Sequence, residues 1–429
     1  MDEIDIPRYF LCPISLQIMK DPVTTVTGIT YDRESIELWL ITAEVEDESV
    51  PAAMCPVTKQ PLPRGSDLTP NHMLRRLIQA WCIANAKNGV DRIPTPKSTV
   101  QRSLVLKLVR DLNKSSSNNN NNSLSTLRVN GLKKMDELAK ESEKNQKCMA
   151  EAGVPKAMVF FIMKCFREGK ISCLGLEEAL RILQLTCKHS IEFKHIVEDN
   201  LDFIQSILWV LKDHNNNNQE IRNFDTIIPH ALAVLKKVTE VASSNLIETL
   251  SLDLFKQIVN LLRNSSPQIT RAALHILIQT CPFGRNKIKI IESGAVFELI
   301  EIELTNPEKK TSELVFCVLA HLCSCADGRQ QFLKHAGGLA VAAKRLLRVS
   351  PATDDRALCV LESIARFSAT REVVVEMLRV GVVSKLCMVL QADCAFYLKK
   401  KAREVLRLHS GSWSGSPCIQ VYLLTRYTR

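Results

Sequence analysis

From about residue 100 onward the chain alternates apolar helical stretches with short polar breaks, and one apolar signature recurs along it. A small residue followed four positions later by a large one, which sets both on one helix face, appears at Ala179/Leu183, Ala231/Leu235, Ala273/Leu277, Val315/Leu319, Ala357/Leu361 and Ala402/Leu406. The intervals are 52, 42, 42, 42 and 45 residues. A second marker keeps phase with the first: Ser293-Gly294-Ala295, Ala336-Gly337-Gly338 and Val380-Gly381-Val382 precede their apolar pairs by 21, 20 and 21 residues, and Glu151-Ala152-Gly153 is a further copy. Glycine there suits a tight turn before an apolar helix. The pattern predicts roughly six stacked helical units sharing one continuous core.

A period near 42 with a glycine-containing turn favours an armadillo-type α-solenoid over other helical arrays. The first 82 residues follow a different rule. Two β-rich runs, Val23 to Val26 and Ile29 to Tyr31, flank Thr27-Gly28 as a hairpin requires. Asp32 is placed to cap a helix from Arg33 to about Ile41, on which Ile36 and Leu40 share a face and Trp39 lies one residue off it. Asn71 is placed to cap a second helix whose stripe of Leu74, Leu77, Ile78 and Trp81 is expected to be core. Pro94 and Pro96 break the pattern before the array begins. Tracts rich in Asn and Ser, at 113–123 and 215–218, read as loop insertions between helices. The expected organisation is a head over 5–82, a linker over 83–99, the array over 100–408 and a tail over 409–429.

Charge separates the two parts. The chain of 429 residues carries a net +10. Its first 82 residues hold 7 Lys and Arg against 12 Asp and Glu, a net of −5, which leaves +15 for the rest. Such a basic surface suits acidic partners. Its cations are scattered, Lys399-Lys400-Lys401 being the longest run, and aromatics are 5% of the chain, so the clustering and stacking that nucleic-acid recognition needs are missing. The 15 cysteines read as reduced thiols, several of them (Cys165, Cys187, Cys281, Cys317) within apolar helical runs. The most apolar stretch, Ala157 to Phe166, is about half a membrane span and is interrupted by Lys164, so no transmembrane segment is expected. Phosphate-binding loops and zinc-protease helices are absent from the sequence, and no cofactor is expected.

Two Cys-Pro loops, Cys12-Pro13-Ile14 and Cys55-Pro56-Val57, frame the head's hairpin and helix. Paired apolar loops around a small helix have the geometry of a RING finger, but the Cys and His spacing of a zinc site is lacking, and no metal is expected. The stretch from Pro7 to Trp81 resembles the U-box, the metal-free relative of RING in ubiquitin ligases. The resemblance rests on Phe10-Leu11-Cys12-Pro13-Ile14-Ser15, Met19-Lys20-Asp21-Pro22-Val23, Thr27 to Arg33, Cys55 to Lys59 and Pro70 to Arg75. The whole chain resembles plant U-box E3 ubiquitin ligases with C-terminal armadillo repeats. Its short head looks like the branch without an N-terminal extension, and Leu408 to Cys418 looks similar to the end of stress- and immunity-related members.

That resemblance implies a mainly α chain, a small α+β U-box followed by an armadillo solenoid, acting as a non-covalent E3 ubiquitin transferase. The implied partners are an E2 ubiquitin-conjugating enzyme, ubiquitin, a protein substrate on the armadillo groove, and a second copy of the chain through the U-box. The implied location is cytoplasmic, with the nucleus or the plasma-membrane periphery as further sites. Carried over by residue, Ile14 and Leu16 supply first-loop contacts to E2, Trp39 the helix contact and Pro56 the second-loop contact. Cys12, Pro13, Asp21, Pro22, Gly28, Asp32 and Asn71 take structural places. Lys59 stands where many such ligases have an Arg that clamps E2 to ubiquitin, and lysine keeps the charge without the planar fork. Cys12 has no His near it in sequence, which argues against thioester chemistry on the chain itself. The rival reading is a non-catalytic armadillo scaffold with a degenerate or dimerising head.

Overall fold

The computed structural model describes residues 6–46, 52–63, 68–86, 102–113, 121–169, 175–212, 224–263 and 266–427. The chain divides into two units, 1–98 and 99–429. The head holds strands β1 (Pro22–Thr24) and β2 (Thr30–Asp32), helix α1 (Arg33–Glu46), strands β3 (Ala52–Met54), β4 (Pro61–Pro63) and β5 (Thr69–Pro70), and helix α2 (His72–Ala84). Strand β1 pairs antiparallel with β2 on one side and β5 on the other, with Val23 opposite Tyr31 and Pro70. Strands β3 and β4 form a separate antiparallel pair. Gly28 turns the β1–β2 connection at φ 79°, a backbone that a side chain would strain. The core gathers Phe10, Cys12, Met19, Val23, Tyr31, Ile36, Cys55, Leu62, Ile78 and Cys82.

Helix α1 runs five residues beyond its expected end at Ile41. The apolar stripe of α2 is centred differently from the sequence expectation. Ile78 and Cys82 are each 1% exposed, whereas Leu77 is 54% exposed. An i, i+4 pair aims both side chains inward, and Leu77 falls about one residue's rotation outside that arc.

The array begins with α3 (Arg102–Asn113) and α4 (Asn121–Glu141). Its first Asn-rich tract was expected to stay out of helix entirely, yet Asn121 and Asn122 open α4. The second tract lies outside the described residues. Three-helix units follow, the first two being α5 (Glu143–Glu151), α6 (Val154–Glu168), α7 (Leu176–Thr186) and α8 (Ile191–Val197), α9 (Leu201–Lys212), α10 (Phe224–Val241). The next two are α11 (Ser244–Glu248), α12 (Leu252–Asn260), α13 (Pro267–Thr280) and α14 (Asn286–Glu292), α15 (Ala295–Leu304), α16 (Lys309–Leu322). The last two are α17 (Ala326–Lys334), α18 (Gly338–Arg345), α19 (Pro351–Phe367) and α20 (Arg371–Arg379), α21 (Val382–Gln391), α22 (Phe396–Leu408). Helices α23 (Ser410–Trp413) and α24 (Pro417–Tyr427) come after them, and α24 packs on α21. The segment after 408 therefore extends the stack, where the sequence suggested a tail.

The recurring apolar pair sits on the third helix of each unit. Ala179/Leu183, Ala231/Leu235, Ala273/Leu277, Val315/Leu319 and Ala357/Leu361 are all 0% exposed. Those third helices, α7, α10, α13, α16, α19 and α22, lie one against the next. Part-buried polar side chains bridge them: His230 Nδ1 lies 2.7 Å from Gln184 Oε1, the Thr239 hydroxyl donates to Gln279 Oε1 at 2.6 Å, and Lys401 Nζ donates to Asp355 at 2.6 Å. The glycine marker falls between the first and second helices. Gly153, Gly294 and Gly381 have φ of 79°, 85° and 82° there. The 336–338 copy works otherwise, since a Cβ on Gly338 would stand 2.5 Å from the Phe332 carbonyl oxygen, so close approach requires glycine.

Candidate functional site

Two loops of the head share one construction. In Cys12 to Gln17 the Leu16 amide donates to the Cys12 carbonyl (2.8 Å) and the Cys12 amide to the Gln17 carbonyl (2.9 Å). In Cys55 to Gln60 the Lys59 amide donates to the Cys55 carbonyl (3.0 Å) and the Cys55 amide to the Gln60 carbonyl (2.8 Å). Each loop closes with its fifth residue in the left-handed region, Leu16 at φ 56° and Lys59 at φ 57°. That conformation costs on the order of 1–2 kcal/mol for a residue with a Cβ. The paired hydrogen bonds hold it, and both side chains end up exposed, Leu16 at 74%.

The two cysteines anchor the loops by hydrogen bonds. Cys12 Sγ accepts from the Asp32 amide at 3.3 Å. Cys55 Sγ accepts from the Thr27 hydroxyl and the Thr58 amide, both at 3.4 Å, and lies 3.0 Å from the Tyr31 hydroxyl. Burial raises the Cys55 pKa, but the donors Thr27, Thr58 and Tyr31 outweigh it and bring the thiol to about 6. The Tyr31 hydroxyl is pushed up in turn, by burial first and then by Cys55. Both cysteines are 0% exposed. Among the described residues no three His, Cys, Asp or Glu converge as a metal ion would need.

Carboxylates knit the rest of the frame. Asp21 receives Arg33 Nε at 2.7 Å and Arg75 Nη1 at 3.5 Å, which joins the start of α1 to α2. Asp32 stands directly before α1, at the expected cap position, and its Oδ1 accepts from the backbone amides of Lys20 (2.9 Å) and Asp21 (2.8 Å). It ties the segment just before β1 to the end of β2. Asn71 caps α2 as expected, accepting from the Leu74 amide at 3.1 Å, and its own amide donates to the Pro22 carbonyl at 2.8 Å.

This frame presents an apolar surface. Leu16 is exposed, Trp39 is 40% exposed, and Ile14 and Pro56 are half-buried. Ile14 also packs against the head's core, so it serves both. Trp39 Nε1 donates to the Met54 carbonyl at 3.0 Å, which fixes the ring and braces α1 against β3. Met54 (56%) and Val57 (50%) widen the patch, and neither was singled out from sequence. Pro13 is exposed beside Ile14. Lys59 stands exposed at the close of the second loop.

We expect Tyr31→Phe to loosen the second loop without unfolding the chain. Losing a buried hydrogen-bond donor costs about 1–3 kcal/mol. Amide hydrogen exchange should quicken at Cys55 and Lys59, whose amides close that loop. Unchanged exchange there would show that the tyrosine–cysteine contact holds nothing.

Residues 6–87 match the U-box domain family and residues 105–429 match the family described as the plant U-box protein ARM repeat region. The E3 ubiquitin-protein ligase PUB24 of Arabidopsis thaliana is 41% identical over 99% of this chain and 96% of its own length. The chain belongs to the plant U-box E3 ubiquitin ligases with armadillo repeats. Two further members from Arabidopsis thaliana, the E3 ubiquitin-protein ligases PUB23 and PUB22, are 39% and 38% identical, each over 99% of this chain and 98% and 99% of their own lengths. A crystal structure of an engineered protein matches 71% of this chain and 68% of its own at 18% identity with a TM-score of 0.50, a likeness of fold alone. The two-loop surface lies within the U-box and the stacked third helices within the armadillo region.

Proposed function

We propose that this U-box ligase docks a ubiquitin-charged E2 on the surface of Ile14, Leu16, Trp39 and Pro56, and a protein substrate on its armadillo array. Ubiquitin then passes directly: the substrate lysine amine attacks the thioester carbonyl, the carbon–sulfur bond breaks, and the E2 cysteine leaves as the thiol. The ligase supplies proximity and orientation, which is where most of the gain in a bimolecular transfer comes from. A covalent relay through the head is unsuited, since Cys12 and Cys55 are sealed from solvent. The observation that carries this reading is the exposed apolar patch with a fixed tryptophan at its edge, the form in which a small interface concentrates its energy.

Lys59 gives the reading a graded test. Its left-handed backbone projects the ammonium outward from the loop that carries Pro56. We expect Lys59→Ala to leave E2 affinity nearly intact and to slow discharge roughly tenfold, because one charge-assisted hydrogen bond contributes about 1.5–3 kcal/mol. Lys59→Arg should speed discharge, as a planar guanidinium can bridge two acceptors. Single-turnover discharge of charged E2 onto free lysine measures both. Equal rates for all three proteins would remove Lys59 from the transfer step.

A further inference from the structure

On the third-helix face, where α13, α16 and α19 lie side by side, a cavity of ≈ 450 Å³ opens between them. Arg271, Lys310 and Arg356 stand around it against a single carboxylate, Glu313. Leu314 and Ala352 supply apolar wall. Arg271 reaches Glu308 at 3.2 Å, but that carboxylate is 67% exposed, and such a pair is held loosely. Lys310 and Arg356 are exposed and make no ion pair among the described residues.

Further cations stand along the face in both directions, with Glu240 near the α10 side and Asp355 at the α22 side. His275, in the cavity wall, is held below the ordinary histidine value by burial and then by Lys236 of α10. His321 of α16 is lowered by burial and then by Arg356 and Lys287. At the other side Lys401 of α22 extends back over α19, 2.6 Å from Asp355 and 3.0 Å from Cys359 Sγ. Cations from five successive third helices, Lys236 of α10, Arg271 of α13, Lys310 of α16, Arg356 of α19 and Lys401 of α22, therefore lie along one strip.

We propose that this strip is the recognition groove for the substrate and that it takes an extended acidic segment, its carboxylates set against Arg271, Lys310 and Arg356. The inference rests on the reading that the array docks substrate. Helices packed about 8–10 Å apart and an extended chain rising about 3.3 Å per residue give roughly three residues per helix crossed. Acidic side chains at about that spacing meet one cation set per helix, while the residues between them lie on Leu314 and Ala352.

The test uses the full chain and fluorescein-labelled twelve-residue peptides read by fluorescence anisotropy. One carries Glu at every third position in a background of Ala and Ser, a second has Gln at those positions, and a third has phosphoserine there. The Glu peptide should bind at least tenfold tighter than the Gln peptide, weaken as salt rises, and lose tenfold or more in the Lys310→Glu/Arg356→Glu double variant. Equal binding of the Gln peptide, or unchanged binding by the double variant, overturns the proposal. Binding of the phosphoserine peptide alone also overturns it and marks a phosphoryl site. A Glu peptide bearing one terminal lysine separates this from the underlying reading. If it binds with acid selectivity but accepts no ubiquitin while the same sample still discharges E2 onto free lysine, the acidic groove stands and substrate docking there falls.

Discussion

Truncation of Ile14 to alanine in the full chain is expected to slow transfer of ubiquitin from charged E2 to free lysine by roughly tenfold or more, the effect of removing an interface anchor of about 1–3 kcal/mol. Trp39→Ala should do at least as much, since it removes both an exposed ring and the hydrogen bond to the Met54 carbonyl. The two variants need different controls. Ile14 is half-buried and packs on the head's core, so Ile14→Val, which keeps most of that packing, should discharge E2 at close to the parent rate. Trp39→Phe keeps the aromatic face and loses the donor to Met54. An intermediate rate for it would divide the effect between contact and brace. Melting curves on each variant exclude unfolding as the cause. Discharge at the parent rate by a folded Ile14→Ala or Trp39→Ala protein would show that E2 docks elsewhere.

The second large effect lies at the far end of the chain. Trp413 is 1% exposed, its Nε1 donates to the Val374 carbonyl at 3.1 Å, and its ring meets His409 edge-on at 5.3 Å. His409 in turn lies 2.8 Å from the Ala365 carbonyl through Nε2. One residue of the short α23 thereby ties together α19, α20 and the end of α22. Trp413→Ala should cost about 3–5 kcal/mol, the range for deleting a fully buried tryptophan side chain. Stability in a repeat array passes between neighbours, so the loss should appear locally. Amide exchange is expected to quicken from α20 through α24 and to stay unchanged in α10 and α13. Uniform protection along the whole array would mean that α23 and α24 merely lie on the stack.

The array was legible because its signal is repeated. One small-large pair carries little, but six copies in near-constant register mark the third helix of each unit, and the glycine marker locates the turn before the second. Where the reading slipped, the cause was local context. The stack continues past Leu408 because Trp413 and α24 supply apolar surface outside the 42-residue rhythm. Cys317, which shares its apolar helical context with Cys165, Cys187 and Cys281, is only half-buried where those three are buried, since its helix turns that position toward the open third-helix face.

In the head, sequence reasoning isolated Ile14, Leu16, Trp39, Pro56 and Lys59 one at a time. It passed over a signal in plain view: Cys-Pro-Ile-Ser-Leu-Gln and Cys-Pro-Val-Thr-Lys-Gln are the same six-residue pattern. That pattern would have made Leu16 and Lys59 equivalent positions, both left-handed and both exposed. The same register makes Val57 the counterpart of Ile14. Met54 was not recoverable that way, because its exposure depends on how the β3–β4 pair meets α1, a tertiary arrangement that no local spacing encodes.

The claim that the head is a working E2 platform has one decisive measurement. Charged E2 enzymes from a panel, the full chain and free lysine are combined under single-turnover conditions, and loss of the thioester is followed with and without the ligase. The account predicts that the parent chain accelerates discharge with at least one E2 and that Ile14→Ala and Trp39→Ala, folded, largely abolish the acceleration. A parent chain that accelerates no E2 in the panel, while remaining folded, would contradict it and leave an armadillo scaffold with an inert head.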